Sequence, residues 1–329
     1  MNTNKINYKY LWQVLLAFGL ALVIIYWIYK DLDFVKVKEV LLNETAWGWM
    51  IASLFFGVLS HVIRGWRWLL ALEPLSAYPK RSNAVNAIFL SYATNLIIPR
   101  LGEFTRCGIL SKYDNISFSK SLGSVVAERF VDTFCVLIIA LISILLQSDL
   151  FLSFFKETGF EMPAEGLFKE GWFYIALLST LALFALLYLL AKKLALLDRA
   201  KGIVQDIWQG VAALRKIKRG GLYWLYTVSI WICYFLHFYL TFYCFSFSSD
   251  LGFSAGLSLF IVGSIAVVVP TPNGAGPWHF AVITMMVLFG VSKTDAGIFA
   301  LIVHTIQSFL VVLLGIYGFV ALPLSNKKH

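Results

Sequence analysis

Six stretches of this chain run apolar for the length of a membrane-crossing helix: 10–30, 46–71, 121–146, 172–191, 223–246 and 295–321. About 20 residues of helix cross the ~30 Å of hydrocarbon in a bilayer. Lipid offers no partner to a backbone N–H or C=O, so a spanning segment must satisfy its own hydrogen bonds as a helix or close into a barrel. Runs this long are helical, and the expected fold class is an all-α polytopic membrane protein with one transmembrane domain over 1–329. Composition agrees: 60% of residues are hydrophobic and 14% charged, with a mean hydropathy of +0.78. Soluble domains sit near 45–50% and about 25%.

Two further regions, 83–112 and 253–291, are apolar but broken. The first is interrupted between Pro99 and Gly102, the second by "PTPNGAGP" at 270–277. Proline and glycine end helices, so each region reads as a pair of short helical arms.

Loop charge orients the bundle. Segment 191–222 holds eight basic residues against Asp198 and Asp206, whereas 147–171 holds five acids against Lys156 and Lys169. The first is expected in the cytoplasm and the second outside. Lys5 and Lys9, with Lys327 and Lys328, place both termini inside. Six spans meet these constraints if each broken region returns to the side it left, as a re-entrant hairpin, or crosses twice. The first run is expected to stay as a span, because no small-residue cleavage site follows it. The net charge of +9 lies in loops beside apolar runs, without the basic, aromatic-laced face that nucleic acid would require. The localisation this implies is a cell (inner) membrane, crossed several times. Within 192–222, Leu197, Ala200, Val204, Ile207, Trp208, Val211 and Leu214 recur at helical spacing. They fit an amphipathic helix on the inner surface or a connector packed on the bundle.

A span, a broken region and a span occur at 46–146 and again at 223–321. Aligning Ile116-Ser117 with Val291-Ser292 sets Arg129 over His304 and Asp132 over Gln307. On the topology above the first unit starts outside and the second inside, which makes an inverted repeat. In many transporters paired interruptions of this kind mark a midplane site.

The chemistry concentrates in "NLIIPRLGEFTRC", 95–107. Pro99 ends one helix, Gly102 permits a tight turn, and a new helix near Glu103 offers free N–H groups. With Arg100 and Arg106 this suits an anion such as a lipid phosphate, Glu103 balancing the charge or capping the helix. A surface loop with ordinary salt bridges is the alternative. In "AERFVD", Glu128 and Asp132 share a helix face, Arg129 and Asp132 are spaced to pair, and Arg100 and Arg106 are the expected partners. Arg64 and Arg67 fit snorkelling to inner headgroups or phosphate binding at an entry point. His279 and His304 fit titrating groups or satisfied core histidines. Together with His237 they show no metal-ligand spacing, and the four cysteines read as packing residues, so neither metal nor cofactor is expected. Catalytic motifs, a Walker loop and a Rossmann fingerprint are absent.

Asn95, Pro99, Arg100, Gly102, Glu103 and Arg106, followed by Glu128, Arg129 and Asp132, resemble the family named for the transmembrane region of lysylphosphatidylglycerol synthase, flippase-like membrane proteins. Pro270, Pro272, Gly274 and Gly276 resemble its P-x-P-G-G-x-G-x-x-E stretch, with Asn273 in place of a usual glycine and His279 in place of the glutamate. The resemblance implies two re-entrant hairpins and the lipid-translocating half of the synthases, without their aminoacyl-transferase domain. On that reading Asn95, Arg100, Glu103, Arg106, Glu128, Arg129, Asp132, Pro272, Asn273, Gly274, Gly276, His279 and His304 contact an anionic phospholipid or lipid-linked substrate. Two other readings stay open: a transferase acting on a polyprenyl-phosphate lipid, and a scaffold for a lipid-modifying enzyme. The partners this implies are membrane lipids, with a homo-oligomer or such an enzyme as further candidates and no nucleic acid.

Overall fold

A computed structural model of the chain describes residues 19, 22–30, 32–157 and 212–326. These residues form helices and connections, with no strand among them. Residues 22–29 form helix α1. It is followed by α2 (Phe34–Glu39), α3 (Trp47–Leu72), α4 (Arg81–Ile97), α5 (Gly102–Asp114), α6 (Phe118–Leu146) and α7 (Ser148–Glu157). Beyond residue 211 come α8 (Gly220–Tyr239), α9 (Phe253–Ala266), α10 (Pro277–Leu288) and α11 (Lys293–Ser325).

Among the described residues four helices are long and apolar enough to cross a membrane: Trp47–Leu75, Phe118–Leu146, Gly220–Cys244 and Lys293–Ser325. They coincide with four of the six expected spans. The run at 10–30 is described only in its second half, and the run at 172–191 lies outside the described residues, as does most of the 192–222 connector. Both broken regions are pairs of helices. α4 and α5 have 17 and 13 residues, α9 and α10 have 14 and 12. At 1.5 Å per residue none of the four exceeds about 26 Å.

Local chemistry sets these boundaries. A residue before proline is pushed out of the helical region. Ile98, ahead of Pro99, is extended (φ −128°, ψ 113°) and stops α4. Pro277 opens α10 at the first helical position, where its missing N–H costs nothing. Ser117 and Ser292 are the N-cap residues of α6 and α11. The starts of α5 and α6, Gly102 and Phe118, are as far apart in sequence as those of α10 and α11, Pro277 and Lys293.

The two sets of helices pack in matching ways. α3 lies along α8; α4 packs on α11, and α9 packs on α6. Within each set neighbours follow in order, α3 on α4 on α5 on α6 and α8 on α9 on α10 on α11. Small residues allow the close crossings that association in lipid depends on. At Gly318 of α11, a Cβ would sit 2.9 Å from the Asn86 carbonyl of α4. One apolar core gathers Trp68, Ile88, Cys107 and Leu110 around α3–α5, and a second gathers Phe242, Leu259, Met285 and Phe299 around α8–α11. α6 turns Phe130, Phe134, Leu137, Leu141 and Leu145 outward, a stripe at helical spacing, while Glu128 and Asp132 are buried on its other side.

Candidate functional site

The first interruption is built differently from the sequence expectation. The left-handed residue is Arg100 (φ 65°), and Gly102 is buried in a tight contact instead. A Cβ on Gly102 would collide with the Ser91 carbonyl oxygen and lie 2.8 Å from Asn95 Oδ1. Asn95 Oδ1 accepts the Gly102 N–H at 2.7 Å, so Asn95, not Glu103, holds the start of α5. Arg100 Nη2 donates to the Val268 carbonyl at 3.0 Å. Arg100 thus ties the first interruption to the residues just before the second, and α4 also packs against the turn Pro272–Gly274.

Arg106, one turn into α5, is buried and meets Glu128 of α6 at 2.8 Å, as expected. The rest of the cluster comes from α3. Arg67 lies 3.4 Å from Glu128 and 2.8 Å from Asp132; Arg64 lies 2.9 Å from Asp132. The five side chains are all buried. Arg64 and Arg67 therefore do not snorkel: α8 and α4 flank α3, and the guanidinium groups turn inward to the carboxylates. Arg129 does not pair with Asp132, which Arg64 and Arg67 occupy. It reaches Glu103 at 3.0 Å in a partly exposed bridge.

Neutral groups extend the network. Arg67 donates to Thr227 (3.3 Å) and Arg64 to the Tyr234 hydroxyl (3.0 Å), which shares a hydrogen bond with Tyr92 (2.7 Å). The Arg106 guanidinium lies 4.8 Å from the Trp68 ring centroid, and the Trp68 indole N–H donates to Ser124 at 2.9 Å. Among the described residues three arginines face two carboxylates, so the cluster carries one surplus positive charge. Arg64 Nη1, Arg67 Nη2, and Arg106 Nε and Nη2 are buried with no acceptor among the described residues, as is the Tyr223 hydroxyl.

The second interruption is a run of left-handed residues, Asn273 (φ 52°), Gly274 (φ 71°) and Gly276 (φ 92°), after Pro272. Asparagine is one of the few residues other than glycine that tolerates this region. Asn273 Nδ2 donates to Ser308 Oγ at 2.7 Å, and His304 Nε2 lies 3.1 Å from the Asn273 carbonyl. His279 Nδ1 accepts the Gly276 N–H at 3.2 Å, and the His279 and His304 rings stand 4.4 Å apart. The structure thus gathers the predicted residues into two groups: Arg106, Glu128 and Asp132, with the Glu103–Arg129 bridge beside them; and Asn273, Gly276, His279 and His304. Among the described residues no three His, Cys, Asp or Glu side chains come together as a metal site.

The family description "Lysylphosphatidylglycerol synthase TM region" matches residues 14–315. The chain belongs to this family. A UPF0104 membrane protein of Methanocaldococcus jannaschii is 25% identical over 228 residues, which cover 68% of this chain and 91% of that protein. No solved structure matches the chain.

Within this transmembrane-region family the two departures noted above acquire local explanations. Asn273 supplies the positive φ that a glycine would, and its amide adds the bond to Ser308. His279 is the third residue of α10 and takes the N-cap N–H, the work a glutamate does in a capping box. The sequence reading missed Tyr92, Thr227, Tyr234, Trp68 and Ser124 as members of the polar network. An intramembrane hydroxyl or indole has no signature of its own. The signal available was the i,i+3 pair Arg64 and Arg67, which demands acceptors on whichever helices flank it.

Proposed function

We propose that this protein translocates an anionic phospholipid, or a lipid-linked substrate with an anionic headgroup, across the cell membrane. The single observation that carries this reading is the buried cluster of three arginines and two carboxylates with unused guanidinium N–H groups. A net charge inside hydrocarbon is expensive and marks a pathway or a ligand. A phosphate oxyanion neutralises the surplus and accepts N–H donors that have no other acceptor. The headgroup would move along the seam between the two interruptions, which Arg100 and Val268 join, while its tails stay in lipid. Arg106 holds the phosphate; Glu128 and Asp132 compete with it for the arginines and so allow release. The Glu103–Arg129 bridge flanks the path on one side and the His279–His304 pair on the other.

The matching helix order and the equal spacing of helix starts support a repeat of two units, and the loop charges support its inversion, with a hairpin shorter than the bilayer re-entering in each. In that arrangement six spans and two hairpins leave both termini in the cytoplasm. The test is a vesicle assay with acyl-labelled fluorescent phosphatidylglycerol, quenched from outside by dithionite. The wild-type protein should expose the inner-leaflet label, and Arg106→Gln should slow that exposure at least tenfold. Unchanged rates for Arg106→Gln would overturn the proposal, and a covalently altered lipid would point to a transferase instead.

A further inference from the structure

A pocket of about 340 Å³ opens at the Leu72 end of α3, apart from the buried cluster. Its apolar wall is Trp66, Leu69 and Tyr226, and its polar rim is Glu73, Arg81 and Arg219. We propose that it binds the phosphate of an anionic phospholipid headgroup.

Charge comes first. Arg219 meets Glu73 only at 3.4 Å, with the arginine side chain 58% exposed. Such an exposed, stretched pair is worth little and exchanges readily for a better acceptor. Arg81 is exposed and makes no ion pair among the described residues. The rim therefore carries two guanidinium groups against one carboxylate. Guanidinium is the side chain whose donor fork matches a phosphate. The same rim holds the first turn of α8, which starts at Gly220 without a side-chain cap, and its free N–H groups add to the positive field. The start of α4 adds less, because Asp114 Oδ1 accepts the Lys80 N–H there at 3.0 Å.

The wall then names the form of the phosphate. Trp66 and Tyr226 pack with ring centroids 6.2 Å apart, and Trp66 and the neighbouring Tyr78 are exposed. Aromatic side chains at the end of a spanning helix sit at the level of the lipid headgroups. A free inorganic phosphate has no use for an indole, a leucine and a phenol ring, whereas a glycerophospholipid lays its glycerol and upper acyl carbons there. The pocket and the buried cluster also draw on different side chains of the same helices. On α3 Trp66 faces the pocket and Arg67 the cluster; on α8 Tyr226 lines the pocket and Thr227 meets Arg67. The site stands whether or not the cluster carries a headgroup.

The experiment uses the full chain carrying Arg106→Gln, which removes the cluster's own hold on phosphate, in detergent with native mass spectrometry of bound lipid. Phosphatidylglycerol is titrated against this background and against Arg81→Gln/Arg219→Gln (the glutamine variant) and Arg81→Lys/Arg219→Lys (the lysine variant) made in it. Both positions are exposed, and thermal unfolding of each variant checks the fold. The expected result is about tenfold weaker retention of phosphatidylglycerol in the glutamine variant, as loss of charge-assisted contacts implies. The lysine variant should fall between, because charge remains while the fork is lost. Millimolar inorganic phosphate should not displace the lipid; displacement, with phosphate protecting the background alone from unfolding, would overturn the lipid assignment in favour of free phosphate. Equal retention by a folded glutamine variant would overturn the site. Translocation by Arg106→Gln reports on the buried cluster alone, so the two failures are separable.

Discussion

The surplus charge of the buried cluster makes an asymmetric prediction: neutralising an acid should cost more than neutralising an arginine. Glu128 is flanked by Arg67 at 3.4 Å and Arg106 at 2.8 Å. Each attraction is worth roughly 4 kcal/mol at an effective dielectric of about 20. Glu128→Gln loses both, regains several kcal/mol of carboxylate desolvation, and leaves three arginines facing Asp132 alone. The net loss should be about 3–5 kcal/mol, the usual cost of breaking a buried pair. Arg106→Met also loses one attraction of that size and the contact with the Trp68 ring, which contributes about 2 kcal/mol when desolvated. It regains the arginine's desolvation cost and ends its repulsion with Arg67, and it leaves two cations balanced by two anions. Its net cost should be about 1–2 kcal/mol. The double variant restores the original surplus of one and should be about 2 kcal/mol less destabilised than the sum of the singles, the size expected for coupled neighbours. Reversible unfolding of the purified protein with increasing SDS, followed by circular dichroism, measures all three. Arg106→Met costing as much as Glu128→Gln, or strictly additive changes, would refute the claim of a surplus cation.

Three other substitutions probe the interruptions and the network, read by the same unfolding assay. Tyr234→Phe removes the acceptor of the Arg64 Nε–H and should cost about 1.5–3 kcal/mol, whereas Tyr92→Phe, which removes a bond between two neutral hydroxyls, should cost about 1 kcal/mol; equal costs would deny the Arg64–Tyr234 bond its charge-assisted strength. Gly102→Ala should destabilise by 1–3 kcal/mol or more, roughly, because the new Cβ meets the Ser91 backbone, which cannot rotate away; helix propensity alone predicts a gain of about 1 kcal/mol, so a rise in stability sinks the packing argument. Arg100→Gly and Arg100→Ala both lose the bond to the Val268 carbonyl, but only glycine suits φ 65°, so the glycine variant should be about 1 kcal/mol more stable than the alanine variant. Both should slow lipid translocation if the link between the interruptions matters.

What the sequence discloses here follows from which physical constraints are local. Span length, Pro99 and the "PTPNGAGP" stretch act on their own segment of chain, so the helices and their breaks are readable in advance. The Arg106–Glu128 pair is readable too, because two short motifs on adjoining helices have opposite charge. Arg100 is not, because its acceptor is a backbone carbonyl, and every residue has one. Arg129 looks paired to Asp132 by spacing, yet a carboxylate goes to the nearest cations, and helix packing brings Arg64 and Arg67 there first. The ambiguity of Arg64 and Arg67 is one of helix rotation. A cation near the end of a span reaches the headgroups if its face is free and an acid if its face is packed. Rotation itself leaves a trace in the chain. Phe130, Phe134, Leu137, Leu141 and Leu145 line one side of α6, the broadly exposed side. That stripe points Glu128 and Asp132 into the bundle, where two acids have to be met by more than one arginine. Arg106 meets Glu128 and Arg129 is taken by Glu103, so Asp132 is left to the face of α3 that carries Arg64 and Arg67.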